Sequence, residues 1–326
     1  MIANIIRFFS GVVLSALLVA PAAGQPAPRW QPTERNNPNK EDCRKIWRAI
    51  GLPTYKRRIP GRIIACHDRY VVSYNAAAKS PDWVLEHLTG PQLNNANLRP
   101  RIGFSKDDFL PPQHQPIGAD YDEMPNNFEI GHMAPSEDFS NSAPAMRDTF
   151  LFSNAVPQVG DRFNAAIWKR LEREARSAAV ERGEVYVITG PVRTPGNRLV
   201  VLTPQQNKCR FENKLNGPSE THVCAAGSRA NPRRGCNEGI VVPVAIYKII
   251  YDPGRHTAYA FLMANRNHDI DLGNRTHDYL NGFRVHVAAV ENLTGLRLFR
   301  GLPAAMRTKV RTKCEQEQLW AAELVE

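Results

Sequence analysis

Closely spaced cysteine pairs are absent from this chain of 326 residues, although it carries six cysteines. Zinc modules are usually built on such pairs, so a structural zinc site is set aside for Cys43, Cys66, Cys209, Cys224, Cys236 and Cys314. Beyond the first residues no apolar run is long enough to cross a bilayer. No internal repeat is visible, which excludes solenoids and propellers. Wholesale disorder, collagen and coiled coil are excluded by composition, since 42% of residues are hydrophobic and 23% charged. Acidic residues are the scarce charge: 32 Asp plus Glu stand against 42 Lys plus Arg, a formal net charge of +10. That excess says nothing about fold. It favours an anionic partner: nucleic acid, an acidic polymer or a membrane surface.

The first residues read as an address. A single charge, Arg7, precedes an apolar run over residues 8–20, and the small-residue stretch PAAG follows at 21–24. This is the layout of a secretory signal peptide with cleavage near Gly24, too short for a membrane span. Residues 1–24 are therefore expected to be removed, giving a periplasmic or secreted protein with no membrane association. In an oxidising compartment six cysteines imply three disulfides. Sequence proximity suggests Cys43–Cys66 and Cys209–Cys224, leaving Cys236–Cys314.

Residues 25–40, rich in Pro and Asn, read as a flexible leader, and 25–60 as leader plus N-terminal extension. The runs RYVVSY (69–74) and WVLEHL (83–88) predict a hairpin with a long loop. Residues 90–128 read as loop. A helix is predicted over residues 164–179, with Ile167, Leu171 and Ala175 along one side. Strands are predicted at 183–190, 240–252 and 257–265, and a last helix near 283–292 ends at Gly295. Residues 204–238 read as a disulfide-pinned insertion and 316–326 as a tail. The domain is then 61–315, of α+β class.

Chemistry concentrates in residues 129–176. His132 follows Gly131 at a predicted strand end. Asn154 and Asn164 are amides among apolar neighbours. Glu172 lies eight residues after Asn164, two helical turns along and roughly 80° around. Amide oxygen, carboxylate and imidazole can meet at one end of that helix. A hard cation with mostly water ligands suits the first two, and the imidazole is left as a base. Plainer readings stand beside this one. Asn164 can be a helix N-cap, Glu172 a surface partner of Lys169 or Arg176, and Asn154 a loop-backbone ligand.

The segments EIGHMAP (129–135), FLFSNAVPQ (150–158) and FNAAIWKRLE (163–172) resemble the three linked motifs of the DNA/RNA non-specific endonucleases, the endonuclease G-like, sugar-non-specific nucleases. The likeness extends in order through YVVSYNAAAKSPDWVLEHL (70–88), ADY (119–121), VYVITGPV (185–192), AFLMAN (260–265) and VENLTGL (290–296). It implies a mainly antiparallel central sheet with flanking helices and a ββα-metal (His-Me finger) site. By the same resemblance His132 matches the general base and Asn164 the protein ligand of one Mg²⁺, with Mn²⁺ as a substitute. Glu172 matches the acid that holds metal-bound waters, and Asn154 the asparagine that supports the site. Arg101 matches an upstream arginine, with Arg99 as its alternative. The implied activity is cleavage of DNA and RNA with little sequence preference, by a possible homodimer.

One departure stands out. Ile130 occupies the place where the family has arginine, and Glu129 stands where aspartate is usual. Two other readings therefore remain open: a weakened or inactive nuclease fold that binds nucleic acid, and a phosphodiesterase for another diester.

Overall fold

The computed structural model describes residues 36–94, 98, 102–116, 120–121, 128–193, 240–268, 276–314 and 319. Its centre is a seven-stranded sheet with strand order β10-β9-β8-β7-β4-β3-β2. The strands are β2 (Arg62–Cys66), β3 (Tyr70–Asn75), β4 (Ser80–Thr89), β7 (Glu184–Val192), β8 (Ala245–Asp252), β9 (Thr257–Ala264) and β10 (Arg284–Val285). Every neighbouring pair is antiparallel. Both faces are covered, which is why β3, β8 and β9 are buried along their whole length instead of alternating.

The two faces separate by residue parity, as a pleated strand requires. Trp83, Leu85, Ile188, Tyr247, Ile249, Ala260 and Leu262 join one apolar core. That core is closed by the helices Glu41–Trp47, Val287–Thr294 and Ala304–Thr312, through Cys43, Ile46, Val287, Val290 and Val310. On the opposite face lies the helix Lys169–Arg182, which buries Leu171, Ala175, Ala178 and Ala179. There Lys248 of β8 sits under the Trp168 ring at 5.3 Å. A separate two-stranded ribbon, β5 (Phe128–His132) paired with β6 (Ala155–Val159), completes this second layer. Asn265, just after β9, ties the ribbon down: it accepts from Val159 N at 2.9 Å and donates to Pro157 O and Pro243 O at 3.0 Å.

Several details differ from expectation. The β3–β4 loop is four residues, 76–79, because Ser80–Asp82 extend the strand and pair with Tyr74 and Asn75. Residues 41–60 are part of the folded body, not an extension. Cys43 and Ile46 enter the core, and β1 (Thr54–Tyr55) pairs with β11 (Leu296–Arg297). The predicted loop 90–128 contains a short helix, Gly90–Asn94, and a 3₁₀ turn, Pro112–His114. The last predicted helix starts later, at Val287, since Arg284 and Val285 pair with β9; Gly295, at φ 74°, ends it as expected. Cys43 and Cys66 form a disulfide. Cys314 is also disulfide-bonded, while Cys209, Cys224, Cys236 and the whole segment 204–238 lie outside the described residues.

Candidate active site

The ribbon β5–β6 and the helical segment after it bring the candidate residues to one region. Gly131 is demanded by packing: a Cβ there would lie 2.1 Å from the Gln158 side chain. Gln158 crosses that space and donates from Nε2 to His132 O at 3.3 Å. Gly160 is demanded in the same way, since a Cβ would stand 2.8 Å from a Glu129 carboxylate oxygen. Glu129 uses the room to accept a 2.7 Å hydrogen bond from Asn164 Nδ2. The two glycines thus clear the path between strand and helix.

His132 ends β5, half-buried, with its ring 4.7 Å from Phe104 and 4.9 Å from Phe150, centre to centre. Burial among these rings pushes its pKa down to about 4, so the imidazole is neutral at physiological pH. Its Nε2 is buried and has no hydrogen-bond partner among the described residues. Asn154 is spent on backbone, as the plainer reading had it. Its Oδ1 accepts from Ala134 N, and its Nδ2 donates to Ala134 O and Thr149 O, all at 2.9 Å. Met133 N also donates to Asn154 O at 2.8 Å. Asn154 therefore clamps the chain immediately after His132.

Asn164 is not a helix cap. It lies inside a π-helical segment, Gly160–Trp168, that runs on into Lys169–Arg182. π-type winding takes more residues per turn than α, so it reduces the angular offset between Asn164 and Glu172 expected of a regular helix. Nor does Glu172 pair with Lys169 or Arg176. Arg176 donates to Asp138 and to Glu137, both at 2.6 Å, and Lys169 stands 3.7 Å from Glu137. Burial raises the Glu172 carboxyl to about 7; Asp138 and Glu137 add to the rise, and Lys248 and Arg176 oppose it. Beneath it Glu86 is fully buried and is likewise pushed well above the carboxylate range by burial. Lys248, buried on the same side of the sheet, donates to Thr189 Oγ1 at 2.8 Å.

Among the described residues no hydrogen bond joins His132 to Asn164 or Glu172. Their relation comes through β5, which carries His132 only three residues, about 10 Å of strand, from Glu129. Arg101 and Arg99 lie outside the described residues. Sequence reasoning missed the supporting set: Phe104, Phe150, Glu129, Lys248, Glu86 and Asp138. Glu129 alone gave a signal, as an acid within the His132 motif. The donors fit a hard divalent cation. With Nδ2 tied to Glu129, the Asn164 amide oxygen is the free end, and Glu172 is a carboxyl without an ion-pair partner among the described residues.

Ile130 packs against a small apolar cluster of Tyr121, Phe152 and Ile240, beside Phe104. The position where the resemblance leads one to expect arginine is thus filled by hydrophobic contact.

The family model for DNA/RNA non-specific endonucleases matches residues 51–305. The chain belongs to the DNA/RNA non-specific endonuclease family. It is 30% identical to the mitochondrial nuclease of Saccharomyces cerevisiae over 264 residues, covering 78% of this chain and 71% of the relative. It is 31% identical to nuclease C1 of Cunninghamella echinulata, covering 71% of this chain and 81% of the relative. The human mitochondrial nuclease EXOG is 31% identical over 59% of this chain and 52% of its own length. In fold, the chain is similar to EndoG in its crystal structure with EndoGI: TM-score 0.61, 24% identity, 84% of this chain and 98% of that one. The family is one of metal-dependent nucleases. The expected periplasmic or secreted location is overturned, because the yeast and human relatives are mitochondrial nucleases. Residues 1–24, which carried that expectation, lie outside the described residues.

Proposed function

We propose that this endonuclease hydrolyses phosphodiester bonds of DNA and RNA with little sequence preference, using His132 as the general base and one Mg²⁺ held at Asn164 and Glu172. The observation that carries the reading is a neutral imidazole with an unclaimed Nε2, on the strand whose Glu129 fixes the Asn164 amide. A neutral imidazole takes the proton of the attacking water and must release it to solvent before the next turnover. Asn154 is a positioning residue: it holds the backbone of residues 133–134 and with it the direction of the His132 ring. Asn164 and Glu172 would hold the cation, and Glu129 keeps the amide oxygen turned away from itself. Bound there, Mg²⁺ supplies charge neutralisation at the phosphoryl oxygens and at the departing 3′ oxygen. Backbone-directed contacts by basic side chains suit a substrate recognised without base readout.

Plasmid and RNA cleavage by wild type and His132→Ala, with and without EDTA, tests the proposal. The expected result is loss of about 10²–10⁴-fold in rate for the variant with plasmid binding kept, and complete loss with EDTA. Cleavage within a few-fold of wild type by His132→Ala would remove the base from this residue.

A further inference from the structure

On the face of the sheet away from His132, a pocket of about 200 Å³ is lined by Lys56, Arg297, Arg300, Arg307 and Arg311, with Glu291 as its one carboxylate. Glu291 is already used. It is buried, accepts from Leu298 N at 2.7 Å, and receives the Arg311 guanidinium at 2.6 Å from Nε. Lys56 donates to Asn292 Oδ1 at 3.0 Å, a neutral partner. Arg297, Arg300 and Arg307 have no carboxylate partner among the described residues. With Arg311 paired to Glu291, the pocket keeps four cations with no carboxylate to offset them.

The walls are firmly held. Arg297 lies on β11, which pairs with β1, and Lys56 N donates to Gly295 O at 2.8 Å. Arg300 follows Phe299, a non-glycine residue at φ 57° whose side chain is fully buried in the core. Such a backbone persists only where packing over-determines it, and here it turns the chain at the pocket wall. The Gly51–Gly301 contact fixes the next residue, through Gly301 N donating to Ile50 O at 2.8 Å. A Cβ on Gly301 would stand 2.6 Å from Gly51 N. Like charges lining one pocket repel each other, and an anion between them offsets that repulsion. Guanidinium groups match phosphate oxygens in geometry as well as in charge.

We infer that this pocket is a second anion site, separate from the active site, that binds phosphate groups: a free polyphosphate such as pyrophosphate, or consecutive phosphates of a nucleic-acid strand. Its helices and β11 belong to the core on the opposite side of the sheet from Trp168 and Lys169–Arg182, so a phosphate held here is not the one being cut. The inference does not depend on the roles of His132 or Asn164.

The test uses the full chain in EDTA, so that no cleavage occurs. Pyrophosphate is titrated calorimetrically into wild type and the exposed-site variant Arg297→Ala/Arg300→Ala. A short single-stranded oligonucleotide is titrated in parallel by fluorescence anisotropy over a range of salt. Wild type is expected to bind at least one of the two probes at this site, and the variant to bind that probe at least about tenfold more weakly. Loss for pyrophosphate alone identifies a free polyphosphate. Loss for the oligonucleotide, with a shallower salt dependence by about 0.7 per contact removed, identifies a strand. The Arg297→Lys/Arg300→Lys protein should keep part of the binding, and with Mg²⁺ the alanine variant should cut a very short substrate at the wild-type rate. Unchanged binding of both probes by a folded alanine variant would overturn the inference.

Discussion

Burial favours the neutral form of both His132 and Glu172, moving their pKa values in opposite directions. The imidazole, pushed down to about 4, stays neutral, and the carboxyl, raised to about 7, is only partly ionised near neutral pH. For His132 the folded state binds protons less readily than the unfolded chain, so its contribution to stability is lost as pH falls from about 6.5 towards 4. For Glu172 the folded state binds the proton more readily, and stability is lost as pH rises from about 4.5 through 7. A divalent cation at Glu172 displaces that proton. Calorimetry of Mg²⁺ binding at pH 6 in buffers of different ionisation enthalpy should register proton release, and Glu172→Gln should abolish it. Release that persists in the variant would place the cation elsewhere. At Ile130, an arginine would enter the cluster of Tyr121, Phe152 and Phe104. A charged group left unpaired there costs about 3–5 kcal/mol. Ile130→Arg is expected to lower the melting temperature and not to accelerate single-turnover cleavage of a short duplex. A faster, equally stable variant would show that the apolar cluster replaces nothing.

The π-helical segment Gly160–Trp168 is the element on which the proposed cation site depends. Phe163, Ile167 and Trp168 anchor it in the core while Asn164 faces Glu129. An Asn164→Ala protein should fold, since the side chain is no cap, yet need a much higher Mg²⁺ concentration or show no cleavage. Titrating Mg²⁺ against both proteins below their melting temperatures measures this. An unchanged Mg²⁺ requirement would leave Asn164 a tether for Glu129 and nothing more.

Across the whole molecule, the disulfide Cys43–Cys66 joins the helix Glu41–Trp47 to edge strand β2 across 23 residues. Closing such a loop restricts the unfolded chain, and replacing both cysteines by alanine should cost about 2–4 kcal/mol. Denaturant unfolding checks the figure, and cleavage at low temperature should be unaffected, because this helix packs on the face away from His132. A loss of activity in a protein still folded would couple the two faces through the sheet.

Much of the fold was legible because the chain carries strong local signals. RYVVSY, WVLEHL, GEVYVITG and TAYAFLMAN are short runs rich in β-branched and aromatic residues that suit a sheet buried on both faces, and Gly295 stops a helix by adopting positive φ. The motifs around His132, Asn154, Asn164 and Glu172 likewise marked the family. Local pattern does not carry distance, however. That Asn154 is consumed by Ala134 and Thr149, that Lys169 and Arg176 turn to Glu137 and Asp138, and that Glu129 seizes Asn164 follow from strands and helices far apart in sequence. The π-type winding at Asn164 was equally hidden, since it comes from how Phe163 and Trp168 are seated in the core and not from any residue's own preference. The same holds for the cationic pocket. Lys56 and Arg311 are distant in the chain, and only the pairing of β1 with β11 and the packing of two helices on one core bring their charges together.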